Sequence, residues 1–260
     1  MTDIEQKIQQ KLDEIEKREN VRVIYAVESG SRAWGFASED SDYDVRFVYV
    51  RQREDYLKLE GERDVIEAEL NEVYDISGWD VQKLLRLVMK SNPTAFEWAS
   101  SPIVYRSSDD WKRIKEVIKA YFQAEKALYH YVSMAKNDIR NYFQGDEVNL
   151  KKYFYILRPA LCCEYIMKHL SAPPVAFSEL CASVLPKELE SAVKKLIDAK
   201  VNASEKTTGH RIEAIDFFVQ NTINSTISFL QTYKVKKENS WKPLNDVFLS
   251  LLACENGVKE

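Results

Sequence analysis

Two aspartates, Asp42 and Asp44, stand two positions apart in "SDYDVRFVYV", at the mouth of an apolar run. In an extended chain, side chains two apart share a face. The two carboxylates therefore project together, and they repel unless a proton or a cation comes between them. Hard divalent cations take oxygen ligands, and Mg2+ keeps waters and substrate phosphates in its shell. A third carboxylate on a neighbouring strand would complete a two-metal site for phosphoryl transfer. Asp75, in the strand-like "EVYDIS", suits that place; Asp80 is its rival and also suits a helix N-cap. Arg46 follows on the face of the pair, where it balances the charge. Upstream, Gly30 and Ser31 sit between a strand and a short helix. Glycine lets the backbone approach a phosphate closely, and free amides at a helix start bind anions. The Ser31 hydroxyl and the Arg32 guanidinium would add contacts. The plainer alternatives are a solvated turn at Asp42–Asp44, a routine glycine turn at Gly30, and an internal ion pair for Arg32.

These residues must be positioned by the elements around them. Residues 3–18 carry Ile4, Ile8, Leu12 and Ile15 at helical spacing. "VRVIYAVES" is a β-branched, apolar, buried strand, and "YDVRFVYV" is a second. Residues 51–61 are charged, with a turn near Gly61. "DVIEAELNEVYDISG" predicts one or two further strands, followed by the helix "DVQKLLRLVMKS" and then a short helix and a strand or loop in "PTAFEWASSPIVY". After Ser108 the pattern turns helical: "DDWKRIKEVIKAYFQAEKALYHYVSMAKNDIRNYF", then "NLKKYFYILRPALCCEYIMKHL" with Pro159 as a kink or break. Residues 186–200 and 210–234 again have helical spacing, and "TTGHR" predicts a loop capping a helix. The expected fold class is α+β: an N-terminal domain over residues 1–105, then a mostly helical domain over 106–260.

Bulk properties bound the function. The chain has 260 residues, a formal net charge of −4, and 45% hydrophobic and 30% charged residues. Nothing in that balance advertises nucleic-acid binding, so such a contact would need a local basic patch. Cys162, Cys163, Cys181 and Cys254 fit no zinc spacing and suit reduced core positions of a cytoplasmic protein. The charged start is unlike a signal peptide, and no run is long enough to cross a membrane. His130, His169 and His210 lie far apart in the sequence, which disfavours a His-based metal site or triad. Trp34 and Phe36 suit packing, as do Tyr153, Phe154 and Tyr155. Lys151, Lys152 and Arg158 either reach a phosphate or form a solvated basic face.

A Gly-Ser pair, then Asp-x-Asp about a dozen residues later at a strand start, then a lone Asp on another strand, resembles the DNA polymerase β-type nucleotidyltransferases. The strings "ESGSRAWGFASEDSDYDVRFVYV", "DISGWDVQKLLRLVMKSNPTAFEWASSPIVY" and "KKYFYILRPALCCEYI" resemble more specifically the RlaP-type predicted nucleotidyltransferases linked to RNA repair. The resemblance implies a polymerase β-like core with a mixed sheet and a helical C-terminal domain. It implies a nucleoside triphosphate substrate, ATP among the candidates, and two Mg2+ or Mn2+ ions. Asp42 and Asp44 would bind both ions and Asp75 the one serving the attacking hydroxyl. Gly30 and Ser31 would hold the β- and γ-phosphates, with Arg32, Lys152 and Arg158 as further nucleotide contacts. An RNA end or tRNA is the family-level acceptor. A protein hydroxyl, a small molecule, or a non-catalytic antitoxin-like nucleotide-binding module are the alternatives.

Overall fold

A computed structural model of the chain describes residues 2–38, 41–202, 208–233, 235 and 238–253. Cys254, assigned to the core by sequence, lies outside them. In chain order the first elements are α1 (Asp3–Glu19), β1 (Val21–Glu28), α2 (Gly30–Trp34), β2 (Tyr43–Arg51), α3 (Arg53–Leu57), β3 (Val65–Leu70), β4 (Tyr74–Asp80), α4 (Val81–Met89), α5 (Pro93–Ala99), β5 (Val104–Ser107) and α6 (Asp109–Lys119). Then come α7 (Ala124–Tyr142), β6 (Glu147–Asn149), α8 (Tyr153–His169), α9 (Phe177–Val184), α10 (Glu190–Asn202), β7 (Thr208–His210), α11 (Glu213–Thr232) and α12 (Trp241–Ala253). The fold class is α+β, as expected. No helix among the described residues is long and apolar enough to cross a membrane.

The chain divides into two units, one within Met1–Ala33, Asp42–Tyr121 and Glu238–Glu260, the other within Trp34–Ser41 and Phe122–Lys237. The first unit holds a five-stranded mixed sheet in the order β3-β4-β2-β1-β5. β2 and β4 run parallel, and the other pairs are antiparallel. Alternation along β2 sends Val45, Phe47 and Tyr49 to one face, where they join Tyr74 and Ile76 of β4 and the Ile8, Leu12 and Ile15 stripe of α1. Burying one face this way fixes the register, because a one-residue slip would turn that apolar set to water. Gly78 of β4 pairs with Phe47, and a Cβ there would lie 2.2 Å from the Phe47 ring, so only glycine leaves room for it.

The sequence sets a boundary near residue 105, whereas the sheet-bearing unit runs on to Tyr121. The reason is packing: Trp111 of α6 stacks on Tyr25 of β1 with ring centroids 3.8 Å apart. α12 belongs to the same unit, where Tyr121 donates to the Ser240 carbonyl at 2.6 Å and Phe248 packs edge-on against Tyr56. In the charged stretch after β2, α3 forms a short helix that the composition did not predict.

The second unit is built on α7, α8 and α11, with buried Tyr131, Tyr153, Leu157, Leu161, Val219 and Ile223 in its core. Pro159 does not end α8, which runs through it. Phe36 stacks on Phe154 at 4.3 Å, so its expected packing role holds. Tyr153 and Phe154 are buried as expected, but Tyr155 is 40% exposed. Cys162 and Cys163 are buried in the core, as expected of packing residues, and burial pushes the Cys163 thiol well up. The expected loop at Thr208–His210 is instead strand β7, paired antiparallel with β6.

Candidate active site

The parallel pairing of β2 with β4 sets Asp44 opposite Asp75. Asp44 and Arg46 alternate away from the α1-covered face of β2, and Asp75 and Ser77 do the same on β4. Asp44 and Asp75 therefore share a face on adjacent strands. Arg46 closes the group: its Nη2 lies 3.0 Å from Asp44 Oδ1 and 2.6 Å from Asp75 Oδ2, and its Nη1 donates to the Asp75 carbonyl at 2.7 Å. The sequence reading set Arg46 against Asp42 and Asp44; here it bridges Asp44 and Asp75.

Asp42 lies directly before β2. Its carbonyl accepts from Arg32 Nε at 3.0 Å. Among the described residues, no three His, Cys, Asp or Glu side chains gather into a set able to hold a metal. The donors nonetheless fit a hard divalent cation in type: carboxylate oxygens from neighbouring strands, partly exposed, on a shared face.

Gly30 has φ +56, a left-handed conformation, and a Cβ placed there would lie 1.9 Å from Asp44 Oδ2. The sequence assigned this glycine to a phosphate approach. The structure gives it a nearer duty, which is to clear space for the Asp44 carboxylate. α2 has only five residues, so its amides add little macrodipole. Ser31 follows Gly30 in that helix, half-buried. The Arg32 guanidinium lies over the Tyr43 ring, 3.8 Å from its centroid.

A residue that sequence reasoning missed anchors this corner. Glu28 ends β1 and is 1% exposed. Its Oε1 accepts the Asp44 amide at 2.8 Å, its Oε2 accepts the Tyr105 hydroxyl, and the neighbouring Ser29 amide donates to the Asp44 carbonyl at 2.8 Å. Both main-chain polar groups of Asp44 are thus tied to the end of β1. The available signal was a lone carboxylate closing a strand that is apolar from Val23 to Val27, directly before a Ser-Gly turn. Burial pushes the Glu28 carboxyl up to about 7, against the Tyr105 and Asp44 hydrogen bonds that favour its anion. Between the pKa of an unfolded Glu and this raised value, the folded state holds a proton that the unfolded state has lost. Stability therefore falls as pH rises through that window and levels off above it. Asp80, also raised by burial, adds to the slope at its acid end. Glu28→Gln should remove on the order of 3 kcal/mol of this pH-dependent loss. Urea unfolding of both proteins at about pH 5 and about pH 8 checks it, and an unchanged pH slope in the variant would contradict it.

Asp80 is not near the pair. It closes the opposite end of β4, five residues and roughly 16 Å along the strand from Asp75. It caps α4, accepting the Gln82 amide at 2.7 Å and the Tyr56 hydroxyl at 2.9 Å. Asp80→Ala should cost about 1–2 kcal/mol of stability through the lost cap and hydrogen bond and leave turnover at permissive temperature near wild type. Thermal melts beside an activity assay test this, and loss of turnover in a folded variant would return Asp80 to the site.

In the second unit, Lys152 Nζ lies 4.4 Å from the ring centroid of Tyr142 and 4.6 Å from that of Tyr155. Arg158 is 3% exposed, with its guanidinium 4.8 Å from the Trp34 ring centroid. A solvated basic face therefore does not describe Arg158, and Trp34 has a packing role against it.

The comparison of sequences gives the family. A profile of the RNA repair pathway DNA polymerase beta family, RlaP, matches residues 4–250, and the chain belongs to that family. It is also 41% identical over 249 residues to the uncharacterized protein YcgL of Bacillus subtilis (strain 168), covering 95% of this chain and 96% of that one.

Proposed function

We propose that the protein is a nucleotidyltransferase that moves a nucleoside monophosphate from a nucleoside triphosphate to a hydroxyl acceptor and releases pyrophosphate. The observation that carries this is Asp44 and Asp75, in register on β2 and β4, with Gly30 against Asp44. Family membership supports the same chemistry, and the family's description supports an RNA end as the acceptor.

In the transfer, the acceptor oxygen bonds to the α-phosphorus as the bond from that phosphorus to the pyrophosphate oxygen breaks. Asp42, Asp44 and Asp75 would hold two Mg2+ or Mn2+ ions. When bound, these ions neutralise the charge on the triphosphate and ease ionisation of the acceptor hydroxyl. The chain's own part is orientation. Glu28 and Ser29 fix the Asp44 backbone, Gly30 leaves its carboxylate room, and Ser31 and Arg32 offer donors to phosphate oxygens.

The test is a thermal-shift matrix of ATP, GTP, CTP and UTP against Mg2+. Ligand that binds only the native state at a hundred times its Kd stabilises it by about 2.7 kcal/mol. At least one nucleotide should raise the melting temperature far more with Mg2+ than without it, and Asp44→Asn should abolish the difference. Nucleotide stabilisation that is independent of metal and intact in Asp44→Asn would place the nucleotide elsewhere.

A further inference from the structure

We propose that Arg46 is the resident cation of the Asp44–Asp75 pair, and that a divalent ion gains those carboxylates only as the guanidinium leaves them. This rests on the metal-dependent activity proposed above. Two carboxylates facing each other on adjacent strands repel unless a proton or a cation comes between them. Arg46 Nη2 supplies it, 3.0 Å from one and 2.6 Å from the other, with Nη1 fixed on the Asp75 carbonyl at 2.7 Å. A guanidinium stays charged at every working pH, so this occupancy cannot be relieved by deprotonation. The three side chains are 17%, 20% and 30% exposed, so water screens them only in part. A divalent ion drawn to the same oxygens would meet Arg46 at close range, and the two cations would compete for the pair.

The exchange has a natural driver. Arg46 belongs to the strand face that carries Asp44, and a triphosphate is the anion best suited to take up a displaced guanidinium, because it accepts paired N–H donors. Nucleotide binding would draw Arg46 away and open the carboxylates. Metal binding would in turn free Arg46 for phosphate. Metal and nucleotide then strengthen each other's binding by the same factor. Arg46 is in this sense a positioning residue for the cation site, and the protein avoids holding metal before its substrate arrives. A merely structural ion pair predicts something different: its removal lowers stability and leaves metal affinity unchanged or weaker.

The experiment is Mn2+ binding to the full chain, with and without ATP, for wild type, Arg46→Met and Asp44→Asn. Arg46→Met should bind Mn2+ without nucleotide at least about tenfold more tightly than wild type, the change expected when a competing unit charge leaves two nearby carboxylates. The factor by which ATP tightens Mn2+ binding should shrink in that variant. A second measurement needs no Met variant. The Arg46 side-chain nitrogen resonance of wild type, assigned by its absence from Arg46→Lys, should move when Mg2+ and ATP are added together. If Arg46→Met binds Mn2+ no more tightly while Asp44→Asn still loses it, or if the Arg46 resonance stays put at saturation, Arg46 is only a structural partner and this proposal is overturned, with the metal site intact. If no variant binds Mn2+ saturably with or without ATP, the metal-dependent function fails and takes this proposal with it.

Discussion

Asp44→Asn and Asp75→Asn should each lower nucleotidyl transfer by about a thousandfold or more, the rate equivalent of losing several kcal/mol of charge stabilisation at the reacting phosphate. Asparagine keeps the shape of aspartate and removes its charge. The Asp44 amide would still reach Glu28, and the room left by Gly30 would still admit the side chain. Each variant leaves Arg46 bound to the remaining carboxylate, so melting temperatures should stay within a few degrees of wild type. That separation of activity from stability is the informative part. Steady-state turnover with a confirmed acceptor, measured beside melting curves, checks both halves. A folded Asp75→Asn with wild-type turnover would remove Asp75 from the chemistry and leave its register with Asp44 as mere sheet pairing.

Gly30→Val should be more damaging than either, because it strikes the backbone and the carboxylate together. A β-branched side chain at φ +56 is strained by about 1–2 kcal/mol. Its Cβ would also fall 1.9 Å from Asp44 Oδ2, so the carboxylate must swing out of place and drag its ion pair with Arg46. Activity should fall to background, with a stability loss of about 2–4 kcal/mol once overpacking is added. Gly30→Ala should retain the clash and shed part of the strain, and so be nearly as inactive but more stable. Chemical denaturation and turnover of the two variants test this. A folded, active Gly30→Val would mean that Asp44 does not need its observed position.

The strands were legible because β-branched runs bounded by turns have few other fates, and β1 and β2 start where "VRVIYAVES" and "YDVRFVYV" start and end within one residue of them. The register that sets Asp44 against Asp75 was not. β2 and β4 are separated by α3 and β3, and pairing between strands that are not neighbours in sequence follows from which faces bury together. Asp80 was legible as a cap from the helix that follows it. Glu28 went unread because a single carboxylate at a strand end looks like a solvated terminus until Tyr105 and the Asp44 amide are brought to it by folding. Gly30 was read as a place of close approach to phosphate, and the nearness of Asp44 to it was not legible. The grouping of Trp34–Ser41 with the helical unit, and of α12 with the sheet, depends on tertiary packing that no local pattern encodes.

The most direct measurement is transfer of label from the four α-labelled nucleoside triphosphates, in Mg2+ or Mn2+, to a panel of RNA ends, tRNA and proteins. Wild type should attach α-label covalently to a hydroxyl acceptor with one pyrophosphate released per transfer, and Asp44→Asn should do neither. Label carried from the γ-position in place of the α-position, or α-transfer that survives in Asp44→Asn, would contradict a nucleotidyltransferase centred on Asp44 and Asp75.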